Sequence, residues 1–296
     1  MDSALPEQLT DHVSVFGNED FRHYLVGSNG AVLVECGVTA SVRQFIAQLD
    51  GMDGPAPEKL VAMHAHFDHV CGIPALRRRF PAAEVLASSA AAKVLDNPKI
   101  MAGFFDQDRQ VAYPEGPAPG ASVDRAASPE RIGVDRTVQG GDRIGLPGGE
   151  SLEVIDAPGH SPCSLAVWFE KERVLFVSDA LGFQISDTTI FPVFFYAYRP
   201  YIETIERLAA CPAEVLAFPH GRIWRGPDVP MVFQRALSAA RDVRDEIVME
   251  TGRGRDAAEL RQMLFDRFYR EQLRLYTPEN IRLCVDLLVR RSLEDR

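Results

Sequence analysis

The chain has 296 residues, 46% hydrophobic and 25% charged, and a net charge of −10. That length leaves room for up to two domains with a substantial core, and the composition is that of an ordinary soluble globular protein. The acidic balance opposes binding to phosphate backbones, so no nucleic-acid partner is expected, and no apolar run reaches the roughly 18 residues of a membrane span.

The first residues, MDSALPEQLTDH, have neither a basic start nor an apolar stretch, which predicts a cytoplasmic protein without a signal peptide. Short β-rich segments follow at His12 to Phe16, Phe21 to Val26 and Ala31 to Glu35, separated by turn residues, and they predict an antiparallel meander. A helix is expected near Ser41 to Leu49. The apolar strand Leu60 to Met63 then delivers the string HAHFDH, and a second αβ segment follows in Ile73 to Phe80 and Glu84 to Leu86. Ala112 to about Ser128 is dense in Pro, Gly and Ala and predicts a long surface loop, a candidate lid.

Further strands are expected at Leu152 to Asp156, Leu165 to Phe169, Val174 to Val177 and Glu214 to Phe218. Beyond Pro230 the period becomes helical: Val232, Ala236, Ala240, Val243 and Ile247 share one face, as do Leu260, Leu264 and Phe268. Asp256 with Glu259 suggests an N-cap, and Thr277-Pro278 a cap followed by proline at the first helical position. About three helices should fill this end. The organisation expected is a catalytic core over residues 1–228 and a C-terminal helical region over 229–296, packed on the core near the active site.

The chemistry concentrates at four strand ends. His64, His66, Asp68 and His69 fall within six residues, a dense and specific donor string. His160 in APGHSPCS, Asp179 in VLFVSDALG and His220 in AFPHG each follow an apolar strand. Any one of these alone reads more readily as a satisfied histidine or a capping aspartate than as a ligand, but together with the first string they read as metal ligands. Neutral imidazole and carboxylate suit zinc and its first-row neighbours. The five cysteines, Cys36, Cys71, Cys163, Cys211 and Cys284, form no C-x-x-C pair and are expected to be reduced and mostly buried.

H-x-H-x-D-H, then G-H-[ST]-P, then an Asp before a small residue, then a His after a late strand, resembles the metallo-β-lactamase superfamily in its thioesterase and glyoxalase II-like branches. From SDALG to AFPHG and into the helical end, the spacing is also similar to thioesterases acting on aminobenzoylacetyl-CoA. The resemblance implies an α/β protein with an αββα sandwich and two divalent metal ions. His64, His66 and His160 would bind the first ion, Asp68, His69 and His220 the second, and Asp179 would bridge both. Glu35 stands where the family usually has an Asp that supports a ligand. Cys163 replaces a common glycine.

Such a site implies hydrolysis by a metal-bound hydroxide, with Asp68 and Asp179 as the catalytic carboxylates. A small-molecule acyl thioester or ester is the expected substrate, because a thiolate leaves without a strong general acid. Zinc is favoured over iron or manganese by the affinity order. A lactonase, a glyoxalase II-like hydrolase and a non-catalytic metal-bound sensor are alternatives. A flavodiiron oxidoreductase is disfavoured, because it would have an acidic residue in place of His66. Phe183, Phe191, Phe194, Phe195, Tyr196 and Tyr198 read equally as an acyl pocket wall or as packing. Arg199, Arg222 and Arg225 read equally as phosphate contacts or as solvated surface. Oligomeric state has no sequence signal.

Overall fold

The β-rich start of the chain forms four strands, β1 (Glu7–Thr10), β2 (Val13–Gly17), β3 (Arg22–Val26) and β4 (Ala31–Val34), paired antiparallel in order. This is a computed structural model, and it describes residues 5–28, 30–52, 54–112 and 131–294. The expected loop over residues 112–128 lies outside the described residues from 113 onward. The chain divides into two compact units, Met1–Ile155 with Val167–Glu172, and Asp156–Ala166 with Arg173–Arg296.

In the first unit, helix α1 (Thr39–Asp50) buries Val42, Phe45 and Leu49 on one stripe, as its 3.6-residue period requires. Phe45 meets Phe16 of β2 edge to face at 5.2 Å. Strand β5 (Pro57–Val61) joins β4 in parallel, and Leu60 to Met63 are fully buried, as expected of a strand covered on both faces. Burying Leu60, Val61 and Met63 contributes roughly 1.5–3 kcal/mol each. The chain continues through α2 (Phe67–Val70), α3 (Ile73–Arg79), β6 (Glu84–Ala87), α4 (Ser89–Leu95), α5 (Pro98–Ala112) and β7 (Arg136–Thr137). β5, β6 and β7 are mutually parallel and complete a seven-stranded sheet in sequence order. Strands β8 (Arg143–Gly145) and β9 (Ser151–Asp156) pair antiparallel.

Strand β10 (Leu165–Phe169) contributes its first two residues to the second unit and the rest to the first. The second unit then runs through β11 (Val174–Phe176), the hairpin β12 (Phe183–Gln184) and β13 (Ile190–Phe191), α6 (Tyr198–Ala209), β14 (Val215–Ala217) and β15 (Trp224–Arg225). β11 and β14 are parallel, and β15 returns antiparallel to β14. The helical end is α7 (Val229–Gly252), α8 (Ala257–Phe268) and α9 (Pro278–Glu294). Its expected apolar faces are buried. The Asp256 carboxylate caps α8 by accepting the Ala258 and Glu259 N–H groups, and the Thr277 hydroxyl accepts the Asn280 N–H at 3.2 Å.

Helices α4, α5 and α6 are additions to the elements read from sequence. All five cysteines are free, with Cys36, Cys71 and Cys163 buried. Among the described residues, no helix is long and apolar enough to cross a membrane.

Candidate metal centre

The first unit gathers four of the seven expected residues. β5 ends at Val61 and runs into the fully buried Ala62 and Met63, after which come His64 and the rest of the donor string. His66 is extended (φ −109°, ψ 155°) and starts α2, whose Phe67 and Val70 are buried and anchor the turn while Asp68 and His69 occupy the other positions. His64 Nε2 lies 3.1 Å from His66 Nδ1, and His69 Nε2 lies 3.7 Å from Asp68 Oδ2. The rings of His64 and His69 are 4.0 Å apart. His69 Nδ1 donates to Glu35 Oε2 at 2.7 Å, which assigns the proton to Nδ1 and presents Nε2 toward the aspartate.

The second unit gathers the other three. Gly159 has φ +132°, and a Cβ there would lie 2.3 Å from the Cα of Tyr201. Its carbonyl accepts the Tyr196 and Ala197 N–H groups, each at 3.1 Å, so the turn before His160 is fastened to the start of α6. His160 Nδ1 donates to the Val193 carbonyl at 2.8 Å, and Nε2 lies 3.3 Å from Asp179 Oδ2. Asp179 follows Ser178, a residue at positive φ (47°), in the tight turn after β11. His220 Nε2 lies 4.0 Å from Asp179 Oδ1. Cys163 is not among the described non-glycine residues with positive φ, so this backbone has no need of the family's glycine there. Its N–H donates to Ser161 Oγ at 3.2 Å.

Some residues of the site carry no sequence signal of their own. Gln184 is buried and clasps the turn after His220: its Oε1 accepts the Arg222 N–H and the Trp224 indole N–H, and its Nε2 donates to the Arg222 carbonyl. Tyr276, between α8 and α9, stands 6.5 Å from the ring of His220, which also meets Phe183 at 5.2 Å. Phe195 lies 5.3 Å from His160. Phe191 and Phe194 are core residues, 1% and 0% exposed, whereas Tyr196 is 45% exposed. The aromatic segment therefore divides between packing and contact with candidate ligands. Arg199 and Arg225 are exposed, and Arg222 lies over Trp224 at 4.6 Å.

The donor set fits divalent cations. Within each unit, imidazole nitrogens and carboxylate oxygens face one another at 3.1–4.0 Å in largely buried positions. Such a concentration of lone pairs and negative charge is costly without a positive partner.

Sheets framed by helices, with histidines and aspartates projected from strand ends, define a metal-binding α/β protein. Residues 23–220 match the family model of the Metallo-beta-lactamase superfamily, and the chain belongs to that superfamily. It is 34% identical over 137 residues to the acyl-coenzyme A thioesterase MBLAC2 of Gallus gallus, a match covering 46% of each chain. It is 34% identical over 86 residues to a hydroxyacylglutathione hydrolase of Rhodospirillum rubrum, covering 29% of this chain and 32% of that one. The chain thus spans less than half the length of these two relatives. Among solved structures, the archaeal superfamily protein ST1585 of Sulfolobus tokodaii shares the fold at a TM-score of 0.58 and 20% identity, covering 77% of this chain and 86% of that one.

Proposed function

We propose that the protein is a metal-dependent hydrolase whose preferred substrate is an acyl thioester of the coenzyme A type. The observation that carries this proposal is the anchoring of His69 and His160 through Nδ1, each with Nε2 directed at an aspartate. Imidazoles fixed in one tautomer are prepared ligands. In this proposal His64, His66 and His160 hold one ion, Asp68, His69 and His220 hold a second, and Asp179 serves both. Zinc is the first candidate, then iron or manganese.

Two divalent cations, when bound, supply hydroxide from water at neutral pH and polarise a carbonyl. The chain's own contribution is to place and shield. Asp68 and Asp179 present carboxylate oxygens that accept and orient the proton of the attacking water. Phe183, Phe195 and Tyr276 flank His160 and His220 and exclude bulk solvent from the acyl group. We assign residues 1–228 to the catalytic core and 229–296 to a helical region that walls the entrance. Coenzyme A and glutathione are both thiols, so the names of the two relatives support a sulfur leaving group.

Elemental analysis of metal-loaded protein should find about two ions per chain, since seven donors exceed what one tetrahedral ion uses. Asp179→Ala should lose metal and lower kcat/KM by at least about tenfold. One ion or none in the wild type would overturn the dinuclear assignment. Full metal content with no turnover of any thioester, ester or lactone would favour a metal-bound sensor instead.

A further inference from the structure

We infer that His23 is a positioning residue for the metal centre, holding the backbone of Glu35 in its left-handed turn and so fixing the Glu35 carboxylate against His69. The inference rests on the metal reading above and adds a residue outside the seven ligands.

Glu35 adopts φ 71° immediately after β4. A non-glycine residue there costs on the order of 1 kcal/mol and persists only where its surroundings hold it. His23, in β3, is fully buried, with Nδ1 3.0 Å from the Glu35 carbonyl and Nε2 3.0 Å from Ser41 Oγ. A carbonyl only accepts, so Nδ1 carries the proton. Burial lowers the pKa of His23 to about 4, so the ring is neutral at pH 7 and Nε2 is an acceptor. The single Ser41 hydroxyl proton has two acceptors at 3.0 Å, His23 Nε2 and the Val38 carbonyl, and because that carbonyl also accepts the Val42 N–H at 3.1 Å, donation to His23 is the arrangement that leaves both groups with a partner. The imidazole is held at both nitrogens and passes its fixed position to Glu35.

The space around this contact is shaped for the ring. A Cβ at Gly37 (φ 54°) would lie 2.4 Å from His23 Cε1 and 2.5 Å from Ser41 Oγ. On the other side, the Gly72 N–H donates to the Gly37 carbonyl at 2.9 Å, and a Cβ at Gly72 would lie 2.2 Å from the Cys36 carbonyl oxygen. The turn from Glu35 to Gly37 is thereby pressed against the end of α2, the helix that carries His69. Glu35 itself is held lightly at its tip: Oε2 accepts from His69, and Oε1 is buried with no hydrogen-bond partner. With one side-chain hydrogen bond, the carboxylate depends on its backbone for aim, and the backbone depends on His23.

The test is a double-mutant cycle on zinc affinity, measured by competition with a chromophoric chelator on the full chain. Partners that orient a ligand are worth about 10- to 100-fold in affinity, so E35Q and H23A should each weaken zinc binding by about tenfold. Because His23 acts through Glu35, the double variant should bind no more than about twofold more weakly than E35Q alone. H23N, whose amide can donate to the Glu35 carbonyl, should recover most of the affinity lost in H23A. S41A removes one hydroxyl with little change in volume, and it should show the same non-additivity with E35Q even if H23A does not fold. Losses that multiply across the cycle, or wild-type affinity in both H23A and S41A, overturn the inference while leaving the metal centre intact. A wild-type chain that takes up no zinc overturns the metal reading and this inference with it.

Discussion

Tyr276 sets its ring at 78° to that of His220, centroids 6.5 Å apart, and meets Phe183 in the same edge-on manner at 5.7 Å and 76°. Tyr276 is 7% exposed, and its carbonyl accepts the Tyr269 hydroxyl at 3.1 Å. The helical end of the chain is thus tied to the strand end that carries His220. Arg291 of α9 adds a second tie, donating Nε–H to the Phe195 carbonyl at 3.1 Å, two residues beyond the Val193 carbonyl that anchors His160.

This arrangement predicts that Tyr276→Ala alters substrate choice before it alters metal binding. The aromatic contacts are worth about 0.5–1.5 kcal/mol each, so the variant should fold with a lowered Tm, retain its metal, and show a changed ranking of kcat/KM across acyl groups. Tyr276→Phe should keep the wild-type ranking. The measurements are elemental analysis and kinetics over a thioester series. Loss of metal in Tyr276→Ala with an unchanged acyl ranking would show a purely structural contact.

Gly159→Ala should be among the most damaging single substitutions outside the ligands. Its Cβ would fall 2.3 Å from backbone of α6 at a φ of +132°, where neither the glycine turn nor the helix can give cheaply. A loss of about 2 kcal/mol or more is expected in urea unfolding. Gly141→Ala is the control: it also has positive φ (90°), but nothing lies within 4 Å, so only the conformational cost of about 1 kcal/mol applies. Equal losses in the two variants would show that the close approach to Tyr201 carries no weight.

The donor string from His64 to His69 was legible because its members are neighbours in sequence and chemistry alone marks them. His160, Asp179 and His220 were legible for a different reason: each is a polar residue stationed at the end of an apolar strand, where a buried charge needs a purpose. The helical end was legible from its period. His23, by contrast, lies in a strand where all five residues are buried, and a lone histidine there has no pattern to distinguish it from core. Tyr276 and Gln184 act through contacts between segments 38 to 93 residues apart in sequence, which no local rule reports. α6 was hidden by its aromatic N-terminal turn and by Pro200, which suit a loop as well as the first turn of a helix.

The burial of His23 has a consequence for stability against pH. Its pKa falls from 6.5 to about 4 on folding, so between those values the unfolded chain binds a proton that the folded chain refuses. The stability due to keeping His23 neutral is therefore complete above pH 6.5 and is lost as the pH falls toward 4, amounting to about 3 kcal/mol over the window. His23→Asn should remove this slope, so that wild-type and variant unfolding free energies converge from pH 7 to pH 4.5. Parallel curves across that range would show that His23 does not titrate between the two states as its burial requires.

The preferred leaving group should be a thiol, and the case joins the site to its surroundings. A thiol has a pKa of about 8.5, so it departs as thiolate with little help, whereas an alkoxide needs a proton from a general acid. The titratable side chains gathered in the two clusters are histidines and aspartates proposed as ligands, together with Glu35, which is engaged by His69. Among the described residues of these clusters, none is placed as a spare acid. Phe183 and Phe195, at 5.2 and 5.3 Å from His220 and His160, offer apolar surface to an acyl chain, and exposed Arg222 lies two residues beyond His220 for a phosphate-bearing carrier. Thiol release followed with a colorimetric reagent should therefore show acyl-CoA turned over faster than oxygen esters and lactones, with β-lactams negligible. Arg222→Glu should raise KM for acyl-CoA more than for acyl-glutathione, because only the first carries phosphate. A lactone cleaved with kcat/KM well above every thioester tested would overturn the assignment of the leaving group while leaving the metal-dependent hydrolysis in place.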